Sequence, residues 1–145
     1  MEQRETIILD NGGYTMKIGT SRDIEPRVVP NCIVKAKADR KREFVADEQA
    51  ECMDKTGLFY VLPFERGYLL HPEVEEQIWE RVFDSYSTKD SRIVMTDPNY
   101  LIFATEDVSV EVLLEQHCFH SVYKASAAGF IALRGFAGIS AQSRG

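Results

Sequence analysis

Leu9-Asp10-Asn11-Gly12-Gly13-Tyr14-Thr15-Met16-Lys17-Ile18-Gly19 is the stretch that decides how this chain folds. Thr6-Ile7-Ile8 precedes it, so a β-rich run ends in four residues that favour turns and positive φ. A second β-rich run returns from Tyr14 to Ile18, and the pair predicts an antiparallel hairpin with a glycine-containing tip. Such a tip can aim successive backbone N–H groups at a phosphate, with Lys17 adding a point charge. An Asp at a strand end, here Asp10, can hold water around a Mg²⁺ ion. Asn-Gly is also a favoured hairpin turn in its own right. The residue pattern alone therefore favours a structural turn over a phosphate site.

Outward from the hairpin, Arg27-Val28-Val29-Pro30 reads as a third strand, leading through Asn31-Cys32-Ile33-Val34 into a basic stretch at residues 35–42. That stretch carries Lys35, Lys37, Arg40, Lys41 and Arg42 in an otherwise acidic chain, and reads first as a solvated loop. A contact with an acidic partner or a nuclear-import signal is the sharper alternative, and both can hold. Leu58-Phe59-Tyr60-Val61-Leu62, between Gly57 and Pro63, suits a buried strand. The clearest helix runs from Pro72 to Asp84: Pro is tolerated in a first turn, and Glu73, Glu75 and Glu76 favour the positive end of the helix dipole. Its apolar stripe is Val74, Ile78, Trp79, Val82 and Phe83. A strand over residues 91–96 stops at Asp97-Pro98-Asn99, a second helix follows over 106–117, a brief strand over 119–123, and an Ala- and Leu-rich helix over 124–136. The later alternation is that of an α/β protein with parallel strands; the opening hairpin is antiparallel, so a mixed sheet is expected.

The chain has 145 residues, 44% hydrophobic and 28% charged, ordinary values for one folded domain and unlike collagenous or disordered sequences. A net charge of −6 repels nucleic-acid phosphates, so any such contact has to come from a local patch. Cys32, Cys52 and Cys118 are odd in number and widely spaced, which argues against a disulfide framework or a zinc site and for a reducing compartment. No run is long and apolar enough for a membrane helix or a signal peptide. His71, His117 and His120 give no convergent ligand set and read as exposed. No GxSxG, HExxH, Walker A or GxGxxG motif is present.

Several ordered segments resemble the actin family. The Asp10–Lys17 loop is similar to actin's first phosphate loop; Phe44-Val45-Ala46-Asp47-Glu48 resembles the family's YVGDE segment. Leu62-Pro63-Phe64-Glu65-Arg66-Gly67-Tyr68 through Ile78-Trp79 resembles YPIEHGIV…IW, and Ile93-Val94-Met95-Thr96-Asp97-Pro98 resembles LLTEAP. The resemblance implies a partial actin-like (RNase H-like) fold over residues 1–136, with 137–145 an unstructured tail unrelated to the family. It implies a vestigial nucleotide site at Asp10, Asn11, Gly12, Gly13 and Lys17, with no catalytic residue and no metal ligand. Gly13 stands where actin has the loop Ser, Tyr14 where it has the second Gly, and Ala127 where a Gln orients the attacking water. Those departures count against ATP hydrolysis. ATP and Mg²⁺ belong only to the full-length family context, because the second phosphate loop falls beyond this chain. The chain therefore reads as a truncated form or partial gene product whose cleft face is uncovered.

The likeness runs to a nuclear branch of the family. That implies a non-catalytic scaffold among the protein subunits of an SWR-type chromatin-remodelling complex, which exchanges a variant histone, with indirect nucleosome association. Lys35, Lys37, Arg40, Lys41 and Arg42 are the expected partner contacts, in the nucleus or also the cytoplasm, without membrane attachment. The short basic loop argues against filament formation, since it replaces a longer apolar insertion with charges that must be desolvated. An ATPase or sugar-kinase-like activity and a cytoskeletal role are the alternatives.

Overall fold

In the computed structural model, residues 4–37, 41–97 and 108–132 are described. The expected hairpin forms: β1 (Thr6–Asn11) pairs antiparallel with β2 (Thr15–Thr20), in the register Leu9 to Ile18 and Asn11 to Met16. β3 (Arg27–Pro30) continues antiparallel beside β2. On the other side of β1, β9 (Arg92–Asp97) and then β10 (Ser121–Ser126) add in parallel, giving the order β10-β9-β1-β2-β3. The sheet is mixed, as the hairpin and the α/β alternation require.

Alternation along the strands decides which face is covered. Ile7, Leu9, Met16, Ile18, Val29, Ile93 and Met95 point to one side and are buried. Against them packs α1 (Pro72–Phe83), whose Val74, Ile78, Trp79, Val82 and Phe83 are buried at the spacing read from the sequence. A fully buried side chain of this size contributes roughly 1.5–3 kcal/mol relative to exposure, so this layer dominates stability. Val112, Leu113 and Phe119 complete the layer, with Phe83 edge-on to Phe119 at 5.1 Å between ring centroids.

A smaller sheet stands apart: β4 (Ile33–Ala36) between β5 (Glu43–Val45) and β6 (Leu58–Val61), all antiparallel. Its own core is Cys32, Val34, Phe44 and Cys52 with Leu58. A 3-10 turn (Ala46–Glu51) follows β5, and Arg81 of α1 reaches Asp47 at 3.1 Å and Glu48 at 3.6 Å to tie the two parts together. β7 (Phe64–Glu65) and β8 (Tyr68–Leu69) make a short hairpin. Its turn needs left-handed backbone at Arg66 and Gly67, with φ of 53° and 85°.

Several expectations need correction. Lys124 to Ser126 are strand, not helix: all three pair with Met95 to Asp97 of β9, and ladder pairing overrides their helical composition. Helix begins only at residue 127. The second helix is α2 (Val108–Glu111) running into a π-turn (Val112–Gln116), a wider coil than expected. β6 is not a buried strand: it lies at the edge of its sheet, and Phe59 and Tyr60, on opposite faces, are both exposed. The basic stretch is not all loop either: Lys35 lies in β4 and its ammonium meets Glu43 of β5 at 2.6 Å. His117 is half-buried rather than exposed, its ring edge-on to Phe83 at 5.0 Å. Arg40, Pro98, Asn99, the start of the second helix at 106–107, the end of the third helix at 133–136 and the tail at 137–145 lie outside the described residues.

Candidate functional site

The hairpin tip brings Asp10, Asn11, Gly12, Gly13 and Lys17 together, as the sequence suggests. Asp10 and Asn11 are the last residues of β1 rather than part of the turn, which comprises Gly12, Gly13 and Tyr14. Strand pairing sets Asp10 opposite Lys17, and their charged groups lie 3.4 Å apart, both about half exposed. Lys17 is thus already engaged by a carboxylate. Thr96, at the end of the neighbouring parallel strand, donates to Asp10 Oδ1 at 3.0 Å and accepts the Asn11 N–H at 2.8 Å.

Glycine is required at position 12 by close approach: a Cβ there would collide with the Thr15 carbonyl oxygen. At position 13 a Cβ would sit 3.3 Å from the Phe64 Cβ, a tight but relievable contact. Tyr14 projects into solvent, 82% exposed.

Beneath the tip lies a buried polar network that the sequence reading missed. Asn31, fully buried, donates through Nδ2 to the Gly12 carbonyl at 2.9 Å and to Glu75 Oε1 at 3.4 Å. Trp79 donates its indole N–H to Asn11 Oδ1 at 3.3 Å. Glu75 is 1% exposed, and burial pushes its carboxyl up to about 7, opposed by side-chain hydrogen bonds from Asn11 and Asn31. A signal existed: Glu75 precedes Ile78 and Trp79 by three and four residues, which places it on the apolar stripe of α1 rather than its solvated face. Nothing comparable marks Asn31.

On the sheet face opposite α1, Asp10 and Thr96 border an open cleft of about 380 Å³ lined also by Ile8, Val94, Ala127, Phe130 and Ile131. Ala127 and Asp10 thus line the same cleft. The Ala127 methyl group and the neighbouring Phe130 and Ile131 offer hydrocarbon to whatever enters.

Of the basic residues, Lys35 lies in β4, Lys37 just beyond that strand, and Lys41 and Arg42 just before β5. Lys37 lies over the Phe59 ring at 5.1 Å and Arg42 over Phe44 at 5.0 Å, so two of the cations rest on aromatic faces. The tip and this basic stretch belong to different sheets. Among the described residues no cluster of three metal-ligating side chains occurs, and no helix is long and apolar enough to cross a membrane. Cys32, Cys52 and Cys118 are free, and burial raises the Cys32 thiol.

The sequence profile of the actin family matches residues 1–137. The chain belongs to the actin family. An actin-like protein of Caenorhabditis elegans is 54% identical over 129 residues, covering 88% of this chain and 31% of that protein. Actin-related protein 6 of Drosophila melanogaster is 38% identical over 130 residues, covering 87% of the chain and 33% of its own length. Actin-related protein 6 of Oryza sativa subsp. indica is 35% identical over 132 residues, with 88% and 30% covered. The chain thus spans about a third of the curated relatives it matches. The mixed sheet with its opening hairpin is the N-terminal part of an actin fold.

Proposed function

We propose that this actin-related chain acts as a non-catalytic scaffold subunit, or part of one, in a nuclear SWR-type complex that exchanges a variant histone into nucleosomes. The observation that carries the reading is the cleft beside Asp10. Ala127, Phe130 and Ile131 line it with hydrocarbon, and none of these three described residues can hold a water in line for attack on a phosphate. Lys17 is shared with Asp10, and Gly13 has no hydroxyl to offer a terminal phosphate. Likeness to actin-related protein 6 from several organisms supports an actin-related subunit over a sugar kinase.

Function then rests on surfaces. Lys35, Lys37, Arg40, Lys41 and Arg42 make a basic stretch in an acidic chain, and concentrated positive charge speeds encounter with an acidic partner. Phe59 beside Lys37 adds exposed aromatic area of the kind that anchors interfaces. The test is affinity capture of the tagged chain from nuclear extract, alongside a variant with all five basic residues changed to Ser. Recovery of remodelling subunits by the wild type and a several-fold loss with the variant are expected; equal recovery by both overturns the assignment of the stretch. Capture of cytoskeletal partners alone, or Mg²⁺-dependent ATP turnover that an Asp10→Ala variant lacks, overturns the scaffold reading.

A further inference from the structure

The network beneath the hairpin tip has an unusual feature. Glu75 is sealed from solvent, and among the described residues no cation is paired with it. Its Oε2 and the Oδ1 of Asn31 have no hydrogen-bond partner. Two buried acceptors without a donor are costly, roughly 1–3 kcal/mol each and more when one is charged. A proton on Glu75 removes the charge and turns one acceptor into a donor. We propose that Glu75 is a proton-binding positioning residue, which holds α1 against the hairpin tip when neutral and loosens Gly12 and Gly13 when ionised.

The geometry specifies where the loosening happens. An ionised, unpaired carboxylate inside a protein draws in water or a counter-charge. Below Glu75 the way is closed by Ile78, Trp79 and Val82, all buried. Above it stand Asn31, which bonds the Gly12 carbonyl, and Asn11, which accepts from Trp79. Beyond these, Gly13 and Tyr14 are exposed. Water therefore reaches Glu75 through the tip, at the cost of the Asn31 bond to Gly12.

Other charges around the network are accounted for. On the hairpin, Asp10 and Lys17 pair with each other; at the start of α1, His71 lies 3.4 Å from Glu73. Further along, Arg81 is taken by Asp47 and Glu48, and Glu76 and Glu80 share α1 with Glu75. His117 is edge-on to Trp79 at 6.4 Å, and burial lowers its pKa below the usual histidine value, whereas burial moves the Glu75 carboxyl upward. The proposal does not depend on the scaffold reading, because it concerns the shape of the tip whatever the tip binds.

The test uses the 145-residue chain between pH 5 and 8.5. Three signals are followed: the Glu75 carboxyl carbon by NMR, the Gly12 and Gly13 amide shifts, and the emission of Trp79, the one tryptophan present. All three should shift together with a midpoint near neutrality. Glu75→Gln should abolish the transition in the amide and fluorescence signals, whereas His117→Asn should leave it. A carboxyl midpoint below 5.5 in the wild-type chain overturns the proposal without recourse to any variant. So does a tip transition that survives Glu75→Gln or disappears in His117→Asn.

Discussion

Thr96 and Asp10 lie 86 residues apart in sequence, and the Thr96 hydroxyl donates to Asp10 Oδ1 at 3.0 Å while its oxygen accepts the Asn11 N–H at 2.8 Å. One hydroxyl thus joins the ends of two parallel strands and aims the carboxylate that faces the cleft.

Thr96→Val keeps the shape and removes both bonds. It should destabilise the fold by about 1–3 kcal/mol, because the Asn11 N–H loses its partner in a half-buried position. Thr96→Ser should recover most of the loss. Urea denaturation of the three proteins checks the order.

Gly12 and Gly13 should respond differently to a side chain. Gly12→Ala drives a Cβ into the Thr15 carbonyl, a backbone atom that cannot move without distorting the turn, and about 1–3 kcal/mol of stability should go. Gly13→Ser meets only the Phe64 side chain, and should melt within a few degrees of wild type. Thermal melts decide.

Two groups shifted by burial should give stability opposite pH slopes. The Glu75 carboxyl, raised from its ordinary 4.5 to about 7, is protonated in both folded and unfolded chains at low pH. Between those values only the folded chain keeps the proton, so stability falls as pH rises, by up to about 3 kcal/mol in total, and then levels. His117 is shifted down by burial, so the unfolded chain takes its proton first and stability falls as pH drops below 6.5. Urea midpoints from pH 4 to 8 should lose the first slope in Glu75→Gln and the second in His117→Asn.

The five-residue basic variant should remain folded, which keeps the capture experiment interpretable. The Lys35–Glu43 pair is partly exposed and contributes at most about 1 kcal/mol, and the two cation–π contacts about 0.5–1 kcal/mol each. Circular dichroism of the variant should match wild type, with a modest fall in melting temperature.

Purified chain should show no ATP turnover above buffer with Mg²⁺ present, and Ala127→Gln alone should not restore it. The added amide would enter the cleft that Asp10 also lines, but Gly13 would still lack a hydroxyl and Lys17 would still be shared with Asp10. A phosphate-release assay on both proteins measures this.

What the sequence determined by itself was local or periodic. The hairpin followed from β-rich runs around Gly12 and Gly13, α1 from apolar residues three and four apart, and the family from ordered motifs that do not depend on contacts. The tertiary structure decided everything that depends on a distant partner. Lys124 to Ser126 became strand because β9 offered its edge; Lys17 lost its free charge because pairing set it opposite Asp10. Glu75 sat on the apolar stripe in plain view, yet its role depends on Asn31, 44 residues away, closing over it beneath Gly12. Periodicity tells which side of a helix turns inward, but burial and protonation are set by the atoms that meet it there.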